Sequence, residues 1–187
     1  TLIKDSENIH KRLSIKLKGF DYDRKFVFSE IGYNFEPSEI GASFGIEQLK
    51  KFKYFSKLRN RNFNLHMNFF GKLDRYFIVP EVRKNVKTNF LAYPIIIRNN
   101  SLFSRKNFQI YLEKKNIQTR PIFSGNTLRH PAFNNLVSKK NKINSFKNSD
   151  YIMKNGLLIG CHQGLSIKDI SYIHATILKY KNLKVRK

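Results

Sequence analysis

Apolar positions in the first half of the chain recur at helical spacing. Pro37-Ser38-Glu39 has the composition of a helix start: proline suits a first turn and glutamate suits the positive end of the helix dipole. Ile40 and Phe44 share a face with the small residues Gly41, Ala42 and Gly45, which allow close packing. The period continues through Leu49, Phe52, Phe55 and Leu58 to about Phe70, as one long helix or as two with a break near Gln48, and Gly71 is a natural stop. Lys50, Lys53 and Lys57 fall on one side of it, mostly opposite Leu49, Phe52 and Leu58. Before this helix, residues 1–30 are polar and weakly patterned; Phe26-Val27-Phe28 reads as a short strand and Gly32-Tyr33-Asn34 as a turn.

The second half alternates strands and helices. Tyr76-Phe77-Ile78-Val79 is a short strand ended by Pro80, and Phe90 to Ile97 is a longer one in which Pro94 argues for an edge or a bulge. Ser104 caps a helix with Phe108, Tyr111 and Leu112 on its inner face and Lys114 and Lys115 in its last turn. Ile117 to Ile122 is a strand leading into the polar loop Phe123-Ser124-Gly125-Asn126. Residues 138–149 read as a surface loop, Asp150 to Lys154 as a short helix and Leu157-Leu158-Ile159 as a strand. Ser166 followed by Asp169 opens a last helix with Ile167, Ile170, Ile173 and Ile177 as its buried face. The order predicts mixed α+β layers, a small sheet covered by helices, with no internal repeat.

Composition changes this picture little. Among 187 residues, 36 Lys+Arg oppose 13 Asp+Glu, for a net charge of +23. Such a charge suits nucleic acid, whose phosphates bind lysines and whose bases stack on aromatics. Abundant Lys, Asn, Ile and Phe with no Trp is also the signature of an AT-rich genome, and the basic runs look like solvated helix faces; no nucleic-acid-binding signature accompanies them. Cys161, the lone cysteine, can form neither an internal disulfide nor a four-cysteine metal site. The five histidines show no metal-ligand spacing, so no metal is expected. Without a bilayer-length apolar run or an apolar segment near Thr1, the default expectation is a cytoplasmic protein with no membrane partner.

Three segments rise above background, each with an ordinary alternative. In Gly32-Tyr33-Asn34 through Ala42, an Asn beside a helix entry can donate its amide to an anion; a simple turn and cap would look the same. In Gln118 to Pro131, Arg120, Ser124, Gly125, Asn126 and Arg129 crowd a strand-to-loop transition, where arginine forks suit phosphate or carboxylate; a polar surface loop is the alternative. In Ile159 to Ser166, glycines and His162 follow a strand end and could line a pocket, or merely form a strand–turn–helix cap.

Together and in this order, these segments resemble the C-terminal part of the DegT/DnrJ family, the pyridoxal-phosphate-dependent sugar aminotransferases and their relatives. Ile31-Gly32-Tyr33-Asn34 through Ala42, Gly45, Gln48 and Leu49 is similar to that family's Gly-Tyr-Asn turn and the Ala/Gly-rich helix ending in Gln-Leu, and the likeness runs over about residues 20–180. Thr119-Arg120-Pro121, then Gly125-Asn126 and Leu128-Arg129-x-Pro131, resembles the 3-dehydratase branch, which removes the C3 hydroxyl of nucleotide-activated 4-keto-6-deoxyhexoses on the way to 3,6-dideoxyhexoses of lipopolysaccharide.

The resemblance implies the small C-terminal domain of a fold-type I transferase over residues 36–187, preceded at 1–35 by the tail of the large cofactor-binding domain. It implies pyridoxal phosphate in the full-length enzyme, a nucleotide-sugar substrate, and either a homodimer or the missing N-terminal domain as partner. The family's catalytic Lys, or the His replacing it, precedes a Gly-Glu-Gly-Gly-like segment; no such segment stands before Gly32, so no catalytic residue is expected in this chain. Nor can Cys161 alone indicate the iron–sulfur cluster of one dehydratase subgroup. By resemblance, Asn34 would reach the cofactor phosphate of the neighbouring subunit, and Arg120, Ser124, Gly125, Asn126, Arg129 and His162 would border the nucleotide sugar. The alternatives are a sugar aminotransferase of the same family, a basic nucleic-acid-binding domain, and an interaction domain that docks through the helix at 38–58.

Overall fold

The computed structural model describes residues 15–17, 20–22, 33, 35, 37–99, 103–136 and 145–185. It divides into two compact units, Thr1–Ile46 and Glu47–Lys187. In the first unit, β1 (Ile15–Leu17) and β2 (Phe20–Tyr22) pair antiparallel, with Ile15 opposite Tyr22. Three residues a side give too little alternation to stand out from a polar stretch, so the sequence reading missed this hairpin. The strand expected at Phe26-Val27-Phe28 lies outside the described residues.

Helix α1 spans Glu39–Gly71, 33 residues without a break at Gln48. No proline falls between Pro37 and Pro80, and a lone Gly45 does not stop a helix. The Ser38 hydroxyl accepts from the Gly41 N–H at 3.2 Å, as the start signal predicts. The apolar positions near the start are not packed: Ile40 is 84% and Leu49 72% exposed, and Phe44 and Phe52 are exposed too. Burial begins later, at Asn62, Phe63, His66 and Phe70.

The second unit is built on a four-stranded antiparallel sheet of order β3-β4-β6-β5. Its strands are β3 (Phe77–Ile78), β4 (Ala92–Ile97), β5 (Thr119–Pro121) and β6 (Gly156–Gly160). Along β4, buried Tyr93, Ile95 and Ile97 alternate with half-buried neighbours, the period-2 pattern of a strand with one packed face. The Tyr93 ring meets Phe63 at 5.1 Å and Phe70 at 5.4 Å, so the latter half of α1 covers that face. Helix α2 (Arg105–Glu113) adds Phe108 and Leu112 to the core, and α4 (Ile167–Val185) adds Ile170, Ile173 and Ile177. Between them, α3 (Lys147–Asn155) leads directly into β6.

Three details depart from the pattern reading. Pro94 argues for an edge or a bulge, yet β4 is internal in the strand order. The register explains this: β3 reaches only Ile96 and Ile97, so Pro94 has a strand neighbour on one side alone, opposite Leu158. Lys114 and Lys115 follow α2 rather than lying in its last turn, because Lys114 is the C-cap and Asn116 takes a left-handed φ of 56°. Ile167 is 56% exposed, since it opens α4 ahead of the turn that meets the core. The loop expected at 138–149 falls partly on residues 137–144, outside the described residues; α3 already begins at Lys147.

Candidate functional site

The edge strand β5 is tied to the end of α2 by one carboxylate. Glu113 accepts from the Thr119 N–H at 2.6 Å and from its hydroxyl at 2.7 Å. These bonds, aided by the Arg120 charge, hold the Glu113 carboxyl below the usual range. Arg120 is exposed, donates to the Thr119 carbonyl at 2.9 Å, and pairs in register with Leu158, which places both on the half-open face of the sheet.

On the other side of β6, the chain turns through Cys161 to Ser166 before entering α4. Asn62, fully buried on α1, donates to the carbonyls of His162 at 2.9 Å and Leu165 at 3.2 Å, and the Arg59 guanidinium donates to Gln163 at 2.7 Å. Ser166 and Asp169 form the expected reciprocal cap: the Ser166 N–H donates to the carboxylate at 2.8 Å and the Asp169 N–H to the hydroxyl at 3.2 Å. This holds Asp169 below its ordinary range, the Ser166 bonds being the largest cause. The His162 ring accepts from the Gly164 N–H at Nδ1, 3.1 Å away.

These two pieces enclose a cavity of about 420 Å³. Gln118, Thr119 and Arg120 form one wall, Leu158 to Gly160 the floor, and His162, Leu165, Asp169, Tyr172 and Ile173 the other wall. The structure thus brings Arg120 and His162 to one concave surface, apolar at the base and polar at the rim, the usual composition of a small-molecule pocket.

Ser124, Gly125, Asn126 and Arg129 do not line this cavity; they form a knotted loop after β5. Asn126 is 4% exposed; its amide donates to Asp150 at 2.8 Å and its oxygen accepts from the Leu128 N–H at 3.2 Å, capping a 3-10 turn at Thr127–Arg129. Arg129 grips both oxygens of Asp150 through Nε and a terminal nitrogen. Arg129 first, then Asn126, pushes the Asp150 carboxyl down to about 2. Gly125 has a φ of 61°, and a Cβ there would stand 2.5 Å from the Met153 Cβ, so only glycine fits. His130 Nε2 donates to the Ser124 carbonyl at 2.7 Å. Asn34 lies outside the described residues.

Two features escaped the sequence reading. Asp150 was read only as a helix start, although it is the one acid between Glu113 and Asp169 in a strongly basic chain, a signal that it serves a nearby arginine. The second is a buried histidine pair: His66 and His174 bond ring to ring at 3.0 Å, and His66 Nε2 bonds the Gly160 carbonyl at 3.0 Å. A carbonyl only accepts, so Nε2 carries the His66 proton and Nδ1 accepts from His174. Burial lowers both rings to about 4. This is a satisfied packing role, and among the described residues no group of His, Cys, Asp and Glu could hold a metal. Cys161 is equally inert, its thiol pushed up to about 11 by burial.

Nor do the described residues make a cradle for pyridoxal phosphate. Among the described residues from Glu47 onward, every lysine is exposed or half-exposed and none lines the cavity. Among the described residues, no helix is long and apolar enough to cross a membrane.

Comparison with known proteins agrees with this architecture. The chain is 28% identical over 152 residues to the lipopolysaccharide biosynthesis protein RfbH of Salmonella typhimurium, covering 81% of this chain and 34% of that protein. It is 30% identical over 160 residues to the GDP-4-keto-6-deoxy-D-mannose 3-dehydratase of Escherichia coli O55:H7, covering 83% and 39%. The E. coli GDP-4-keto-6-deoxy-D-mannose-3-dehydratase structure with bound hydrated PLP superposes with a TM-score of 0.66 at 30% identity, covering 81% of this chain and 38% of that one. The chain therefore spans little more than a third of the length of these relatives. Its small antiparallel sheet with covering helices is the corresponding part of a PLP-dependent sugar aminotransferase and dehydratase fold. Residues 1–178 match the family profile, and the chain belongs to the DegT/DnrJ/EryC1/StrS aminotransferase family.

Proposed function

We propose that this chain is the C-terminal portion of a pyridoxal-phosphate-dependent enzyme that removes the C3 hydroxyl of a nucleotide-activated 4-keto-6-deoxyhexose. Residues 36–187 are its small domain and residues 1–35 the tail of its large one. Pyridoxal phosphate supplies the electron sink when bound elsewhere in the whole protein. This chain's residues bind and orient the nucleotide sugar. Arg120 grips the diphosphate, and His162, its Nδ1 taken by the Gly164 N–H, lines the same cavity. Asn126, Arg129 and Gly125 fix the loop that borders the ligand. Asn34 reaches the cofactor phosphate of a neighbouring subunit in a homodimer.

The observation that carries this reading is that Arg120 and His162, singled out separately in the sequence, share one cavity. The likeness to 3-dehydratases at 30% identity favours dehydration. The test uses the complete reading frame that contains this chain, prepared with pyridoxal phosphate and given nucleoside-diphosphate-linked 4-keto-6-deoxyhexoses together with an amino-acid amino donor. A product lacking the C3 hydroxyl is expected. An amino group in place of the keto group selects the aminotransferase reading instead, and no turnover of any nucleotide sugar rejects both. In the active protein, Arg120→Ala should raise KM by about ten-fold or more with kcat little changed, as expected for a charged contact made equally in ground and transition states.

A further inference from the structure

Where α1 meets the turn after β6, it presents a stripe of polar side chains. Arg59, Asn62 and His66 stand three and four residues apart, so they share one face of the helix. Asn62 and His66 are fully buried. All three bond to the segment that ends β6 and builds a wall of the cavity. Arg59 donates to the Gln163 side chain, Asn62 to the carbonyls of His162 and Leu165, and His66 to the carbonyl of Gly160. Arg61 adds a bond to the Leu165 carbonyl at 3.0 Å and donates to the Asn62 oxygen from Nε and a terminal nitrogen, at 3.0 and 2.9 Å.

The Asn62 amide is therefore used at both ends, and chemistry fixes its orientation. A guanidinium only donates, so it takes Oδ1; a carbonyl only accepts, so both carbonyls take Nδ2. An apolar side chain of the same size would fill the space, but apolar contact is non-directional. Hydrogen bonds run along set directions, so these decide where the turn sits. The turn in its place decides where His162 stands. Its Nδ1 takes the Gly164 N–H, and a Cβ at Gly164 would lie only 3.1 Å from that nitrogen. On the strand side, a Cβ at Gly160 would lie 3.2 Å from the Leu165 Cδ1. His162 and Leu165 both line the cavity, and theirs are the two carbonyls that Asn62 holds. We propose that Asn62 is a positioning residue for the substrate: lying outside the cavity, it sets the wall against which the nucleotide sugar binds. This rests on the nucleotide-sugar reading above and adds a residue that acts through that wall.

The experiment uses the complete protein loaded with pyridoxal phosphate. Asn62→Asp keeps the shape and the Arg61 bonds but sets an oxygen where two carbonyls need a donor. Asn62→Ala removes the donor without adding a charge and serves if the Asp variant does not fold. Hydrogen exchange of residues 160–166, measured without substrate, should quicken by at least about ten-fold. With the nucleotide sugar that the parent turns over, KM should rise by about five-fold or more while kcat changes little. His162→Ala should raise KM too, and the double variant should be no worse than the poorer single one, because both changes act on the same wall. Ile177→Val, which loosens the core away from the turn, should leave KM as it is. An unchanged KM in a folded Asn62 variant overturns the assignment, as does unchanged exchange at 160–166. Losses that multiply in the double variant overturn it as well, since Asn62 would then act elsewhere. So does a KM that rises equally in Ile177→Val, since KM would then only follow stability. A parent that turns over no nucleotide sugar rejects the nucleotide-sugar reading and the substrate role of Asn62 with it, while quickened exchange in the variant would still show its hold on the turn.

Discussion

Asp150 organises the loop that the sequence reading singled out. Its carboxylate takes the Arg129 fork and the Asn126 amide together, so two residues that the resemblance sets beside the ligand also brace the loop within the chain. Exposed charge pairs contribute little by themselves, and the buried partner carries more weight. Asn126→Ala removes both the cap on Leu128 and the bond to Asp150, and should cost about 1–2 kcal/mol in denaturant unfolding. Gly125→Ala should cost more, because the new Cβ meets Met153 and φ stays positive; a midpoint equal to the parent's would show the turn is looser than its geometry implies. Residue types and spacing made Arg120, Gly125, Asn126 and Arg129 stand out, but no spacing rule links Asp150 to them: the pairing crosses 21 residues and exists only once α3 docks.

Elements with a full period were legible. The Ser104 cap with Phe108 and Leu112 predicted α2, and the alternation around Tyr93, Ile95 and Ile97 predicted β4. The β1–β2 hairpin was too short to show a period, and the exposed start of α1 reads as amphipathic whether or not anything covers it. The histidine chain was invisible for another reason: it joins α1, α4 and β6, three elements distant in sequence. It sets an acid limit on the fold. His66 and His174 titrate near 4 when folded against an ordinary 6.5, so the unfolded chain binds more protons between those values. Stability is full above about 6.5 and falls as pH drops toward 4. Asp150, depressed to about 2, adds a second loss only below about 3.8. Urea midpoints measured from pH 7 to 4 should decline in the parent and stay flatter in His66→Gln, whose amide can replace the ring without taking up a proton. An identical decline in both would remove His66 as the cause.

At the scale of the whole molecule, the net charge of +23 was the loudest feature of the sequence and the least informative about the site. Each of the four helices carries described lysines, among them Lys50, Lys53 and Lys57 on α1, Lys106 on α2, Lys147 and Lys154 on α3, and Lys168, Lys179 and Lys184 on α4. A duplex touches one side of a protein at a time, so charge shared among four helices is expected to neutralise few phosphates at once, and each neutralised phosphate releases about one counterion. Binding to duplex DNA should therefore be weak, and the slope of log K against log salt no steeper than about −3, where a dedicated nucleic-acid face with six or more phosphate contacts gives about −5 or steeper. A titration at several salt concentrations decides between the two. A steep slope would restore nucleic acid as a partner, and a shallow one leaves Arg120, at the rim of the cavity, as the cation whose position matters most for function.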